Sequence, residues 1–118
     1  MPVTIKRAYE TASADDGYRV LVDALWPRGI TKAELKIDAW MKQIAPPTEL
    51  RKSYGHIPEK WEEFRKRYRQ ELRKPPRKAL LEELVERARK ERLTLVFGAR
   101  DAERSNAAAI AEMVRSSL

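Results

Sequence analysis

Val20-Leu21-Val22 is an unbroken apolar run that stops at a charged residue, Asp23, and then turns through Trp26-Pro27-Arg28-Gly29. Apolar side chains on successive positions point to both faces of a strand, so both faces need cover. A parallel or mixed sheet with helices on its faces provides that cover; a half-solvated antiparallel sheet does not. A second run, Leu93-Thr94-Leu95-Val96-Phe97, stops in the same way at Gly98. In open α/β sheets the crevices that hold ligands lie outside the carboxyl ends of the strands. The two strand ends are therefore where a site is to be sought.

The rest of the chain fits that frame. Val3 to Tyr9 alternates apolar and polar, as a half-buried strand does. The Thr11–Gly17 stretch is small and polar and ends in Asp15-Asp16-Gly17, a turn. The second strand is expected over Tyr18–Leu25. Thr31 with Glu34 forms a capping-box pattern for a short helix. Ile37, Trp40, Met41 and Ile44 fall on helical spacing, with Asp38 near the positive helix end. Pro46-Pro47 closes that segment, and Thr48 is expected to cap a turn of helix that stops at Gly55.

Pro58 opens the clearest helix, with Trp61, Phe64, Tyr68 and Leu72 on one face. Pro75-Pro76 breaks it. A second helix follows with Leu80, Leu81, Leu84, Val85 and Ala88 inward, the two helices forming a hairpin. After the Leu93–Phe97 strand, a last helix from about Glu103 buries Ala107, Ile110, Ala111 and Val114. The order β-β-(short helices)-α-α-β-α predicts a single α/β domain over residues 1–118, with a small, mainly parallel sheet flanked by helices. At 118 residues the chain is long enough for one core.

Composition limits the chemistry. With no cysteine there is no disulfide framework and no thiolate nucleophile. A single histidine excludes a multi-histidine metal site within one chain. No metal or cofactor is expected, and neither G-x-G-x-x-G nor G-x-x-x-x-G-K-[ST] occurs. No apolar run approaches the roughly 20 residues that span a bilayer, and the N-terminus lacks a signal-peptide pattern. A cytoplasmic protein without membrane contact is expected. Its oligomeric state is open.

The net charge is +7, with one Asn and two Gln among many Lys, Arg and Glu. That bias fits a thermophilic source and also permits a polyanionic partner. Residues 59–92 hold 13 Lys and Arg against 8 Glu, often three or four apart. Solvated helix faces have this pattern. A nucleic-acid or acidic-partner face on the helical pair is the alternative reading.

The site expected from sequence joins Trp26 and Arg28, after one strand, to Arg100 and Asn106, after the other, as ligand-binding residues. Arg28 and Arg100 would hold a phosphate- or carboxylate-bearing anion, because the guanidinium is planar and always charged. A helix N-terminus beside Arg100 adds to the attraction. Asp23, His56 and Asp101 are the acid–base candidates. A structural reading stands beside this one: Asp101 caps the last helix, Arg100 pairs with Asp23, and His56 is a surface or capping residue.

RVLVDALWPRG, TELRKSYGHIPEKWEEFRKRY and TLVFGARDAERSNAAAI together resemble the DUF488 family, in its short YeaO-like branch. The likeness covers nearly the whole chain. It implies one domain and assigns no reaction. By this resemblance Asp23, Trp26, Pro27, Arg28, Gly29, Gly55, His56, Trp61, Phe64, Tyr68, Arg100, Asp101 and Asn106 match family positions. Members commonly carry Arg at the position of Ala24 and an aromatic at that of Ser53. Longer relatives carry Cys-His-Arg near the last helix, where this chain has Asn106, so thiol chemistry does not transfer.

Overall fold

The computed structural model describes residues 3–118. The strands are β1 (Val3–Arg7), β2 (Tyr18–Leu21), β3 (Ala39–Trp40) and β4 (Leu93–Phe97). The helices are α1 (Lys32–Leu35), α2 (Thr48–Tyr54), α3 (Trp61–Leu72), α4 (Arg77–Lys90) and α5 (Asn106–Ser116). The strands form one sheet in the order β1-β4-β2-β3, and every pairing is parallel. This is the small α/β domain that the apolar runs predict. Met1 and Pro2, which precede the expected Val3–Tyr9 strand, lie outside the described residues.

Alternation along the strands sorts the core into two layers. Val3, Val20, Leu93, Leu95 and Phe97 face a large cluster with Trp61, Phe64, Tyr68, Leu72, Leu84 and Ile110 from the long helices. Leu21 and Val96 face the opposite side, with Leu35 of α1 and the half-buried Trp26, Ile30 and Trp40. All five residues of β4 are buried, as a central strand covered on both faces requires. Thr94 is satisfied there by hydrogen bonds to the Asp16 carbonyl, 2.7 Å, and the Thr4 hydroxyl, 3.0 Å. The buried hydroxyl of Tyr68 donates to the Ile44 carbonyl, tying α3 to the segment before α2.

Four expectations need correction. The Ile37–Ile44 segment is not one amphipathic α-helix: Ala39 and Trp40 pair with Val20 and Leu21 as an edge strand, and only Lys42–Ile44 make a 3-10 turn. The ladder continues through Asp38 N–H to the Arg19 carbonyl and Met41 N–H to the Leu21 carbonyl. Sheet pairing overrides the apolar period there. The Asp38 carboxylate then accepts the Arg19 N–H at 2.8 Å instead of sitting at a helix start. β2 ends at Leu21 and not at Leu25; beyond Val22 the chain leaves the sheet, and Leu25 is 70% exposed. Thr48 makes no cap, since Pro47 holds the cap position of α2 without a side-chain hydrogen bond. The last helix starts at Asn106, later than Glu103, after a separate 3-10 turn over Ala102–Arg104.

Other local readings hold. Thr31 and Glu34 make the reciprocal capping box on α1. Pro58 opens a 3-10 turn that leads into α3, and α4 follows a cis Pro75–Pro76 bond. Among the described residues no helix is long and apolar enough to cross a membrane.

Candidate functional site

Because β1, β4 and β2 are adjacent and parallel, their carboxyl ends share one edge of the sheet. A cavity of about 600 Å³ opens there, within the usual range for small-molecule sites. The β2 end contributes Asp23 to Arg28, and the β4 end contributes Gly98 and Ala99. Arg104, Ser105 and Asn106 close it from the start of α5, and Thr48, Arg51, Tyr54 and His56 from α2 and its exit.

Asp23 is the most constrained residue of this cavity. One carboxylate oxygen accepts the Gly98 N–H at 2.8 Å, and the other accepts Asn106 Nδ2 at 3.1 Å. Asn106 Nδ2 also reaches the Val22 carbonyl at 3.1 Å, so it bridges β2 to α5. A Cβ on Gly98 would lie 3.3 Å from the Asp23 carboxylate, close enough to require the carboxylate to give. Burial pushes the Asp23 carboxyl above the ordinary carboxylate range. The Gly98 N–H, Asn106, and the nearby Arg51 and His56 offset that only in part.

The walls are held by the chain's own polar groups. The Trp40 indole donates to the Asp23 carbonyl at 2.8 Å, and the Trp26 indole donates to the Ile30 carbonyl at 2.6 Å. The two rings meet edge to face at 5.4 Å. These bonds fix the Asp23–Ile30 turn and leave Trp26 as an apolar wall. Tyr9 donates its hydroxyl to the Arg28 carbonyl at 3.0 Å. Arg7 Nε donates to the Ala99 carbonyl at 2.8 Å, securing the turn after β4.

The rim is cationic. Arg28 and Arg51 both line the cavity, and neither makes an ion pair among the described residues. Arg104 also lines it but is paired with Asp101 at 2.9 Å. Tyr54 donates to the Arg104 carbonyl at 3.0 Å, and burial raises its phenol, so the phenol keeps its proton. His56 follows Gly55, and both adopt left-handed backbone, with φ of 58° and 54°. A non-glycine residue there is uncommon, although histidine is among the more frequent ones. Its ring lies 5.6 Å from that of Tyr54.

The sequence-predicted residues thus divide. Asp23, Trp26, Arg28, His56 and Asn106 line one cavity; Arg100 and Asp101 do not. Arg100 is exposed and pairs with no carboxylate, Asp23 included, among the described residues. Asp101 pairs with Arg104, and the α5 cap is Ser105, whose Oγ accepts the Ala108 N–H at 3.1 Å. Sequence reasoning misses Arg51 and Arg104. Arg51 stands inside the E-L-R-K motif, but on a helical segment with no strand-end signal. A second groove, about 560 Å³, lies between the Tyr9–Ala12 loop and α1 and gathers none of the predicted site residues. Among the described residues no three His, Asp or Glu side chains are placed to hold a metal ion.

Fold and cleft define the class: a small parallel α/β domain with an arginine rim and a carboxylate floor at its strand ends. The chain belongs to the DUF488 family, in its YeaO-like branch; the family model that matches residues 2–118 is described as "Inactive DUF488-N3 subclade". It is 40% identical to "Uncharacterized protein YeaO" of Escherichia coli, across 98% of this chain and 99% of that protein. It is 41% identical to "Uncharacterized protein Rv3073c" of Mycobacterium tuberculosis, across 95% of this chain and 92% of that protein. No solved structure matches the chain.

Proposed function

We propose that the strand-end cavity binds a small phosphate- or carboxylate-bearing molecule. The observation that carries this reading is the pair of arginines, Arg28 and Arg51, which line the cavity without an ion-pair partner among the described residues. Some other arginines are engaged, Arg19 with Asp16 and Arg65 with Glu62 and Glu112. Arg69, Arg73 and Arg100 also make no ion pair among the described residues, but they do not line this cavity, so it is the convergence of Arg28 and Arg51 on one space that counts. Two planar forks facing one space suit bidentate recognition of a carboxylate or phosphate. Arg51 takes the part that the strand-end pattern assigns to Arg100. The word "Inactive" in the family description lends no support to a reaction at this site.

The alternative, a polyanion face on α3 and α4, has less support. Arg65, Arg87 and Arg89 are paired with Glu62, Glu91 and Glu86. Lys66, Arg69 and Arg73 make no ion pair among the described residues, but Glu62 and Glu63 line the same groove, and Trp61, Phe64 and Tyr68 are buried where stacking on bases would need them exposed. Calorimetric titration of inorganic phosphate into the protein and into an Arg28→Met, Arg51→Met variant tests the proposal. The variant is expected to keep its melting transition and to lose at least about tenfold in affinity, since a charge-assisted hydrogen bond contributes about 1.5–3 kcal/mol. Equal affinity in the two proteins would refute the assignment.

A further inference from the structure

We infer that the molecule bound in this cavity is amphoteric, carrying an N–H donor group as well as an anion. The inference rests on the anion reading and goes beyond it. A rim of arginines alone would accept any small anion, but the floor of the same cavity is a carboxylate. Asp23 takes one N–H on each oxygen, from Gly98 and Asn106. A carboxylate has about four acceptor positions. The two that remain make no hydrogen bond within the protein among the described residues, and Asp23 lines the cavity.

Asp23 also forms no ion pair with Arg28 or Arg51, although Arg51 is near enough to act on it electrostatically. The cavity is therefore lined by a fixed, part-buried acceptor and by exposed arginine donors, not paired with one another and each without its complement. A purely anionic occupant would meet the arginines and face repulsion from Asp23. An occupant with an ammonium or amine N–H opposite its anion satisfies both ends. Gly98 and Asn106 fix the carboxylate in position, so the acceptor is preorganised.

Two sources share this chemistry: an aminoalkyl phosphate, and a nucleotide whose base presents N–H groups. Paired titrations distinguish them, each pair differing in the donor: O-phosphoethanolamine against ethyl phosphate, and adenosine 5′-monophosphate against purine riboside 5′-monophosphate. In one pair or the other, the donor-bearing compound is expected to bind about tenfold tighter. Asp23→Asn should reduce that preference to within about threefold, because the carboxamide presents one acceptor and no charge. A preference in the first pair identifies an ammonium, and in the second the amino group of a base. If both members of each pair bind equally to the native protein, the inference fails and the anion site stands. It also fails if a preference survives intact in Asp23→Asn. If none of the four compounds binds, both fall together.

Discussion

Among single residues, Asp23 matters most to the site. Its carboxyl is raised by burial, so the folded chain holds the proton more tightly than the unfolded chain. Stability therefore falls as pH rises from the unfolded carboxylate value through the folded one, and the full cost of the buried charge is in place above that window. Asp16 has the opposite sign. Burial pushes it up, but the Ser13 N–H and the Lys6 and Arg19 side chains outweigh that and hold it below the ordinary value. Its contribution is present above the unfolded value and lost as pH falls through the folded one. Urea midpoints of the native protein and Asp23→Asn, followed from pH 3 to 7, separate the two. The Asn variant shares the Asp16 loss and is expected to gain on the native protein as pH rises, by at most about 1.4 kcal/mol per pH unit within the Asp23 window. Parallel curves would show that Asp23 is not desolvated. The sequence marks Asp23 well, because a charge straight after a buried apolar run is costly unless hydrogen bonds or a cavity receive it. It marks Arg51 poorly, because its approach to Asp23 depends on where α2 packs.

Among the elements, the start of α5 decides the shape of the site. Ser105, buried, accepts the Ala108 N–H at 3.1 Å and donates to the Ala102 carbonyl at 2.8 Å, joining the 3-10 turn to the helix. Asn106 follows it and can bridge Val22 and Asp23 only from that first helical position. Ser105→Ala is expected to lower stability by about 1 kcal/mol, the usual loss at a helix cap, while Asp101→Ala should cost less in the urea midpoint, since its carboxylate makes only an exposed ion pair with Arg104 and no cap bond. A larger loss from the aspartate would return the cap to Asp101. Elements with a strong local signal are legible in the sequence: α3 from its Trp61-Phe64-Tyr68-Leu72 face, α1 from Thr31 and Glu34, β4 from an apolar run between Arg92 and Gly98. The Ala39–Trp40 strand is not. Two residues carry no period of their own, and only pairing with Val20 and Leu21 makes them a strand.

Across the molecule, parallel pairing brings three strand ends, the α5 start and α2 around one cavity, which Arg28, Arg51 and Asp23 all line. The excess of basic charge on α3 and α4 is a competing attraction for the same anions, with Lys66, Arg69 and Arg73 lying along one exposed groove. The anion is expected to choose the strand ends over that groove. Backbone amide resonances followed during a titration with inorganic phosphate decide between the two places. Saturable shifts are expected at Asp23–Trp26, Arg28, Gly29, Arg51 and Gly98–Asn106, with small, non-saturating changes along α3. Saturable shifts confined to Lys66, Arg69 and Arg73, with the amides of Asp23, Gly98 and Asn106 unmoved, would contradict the strand-end site.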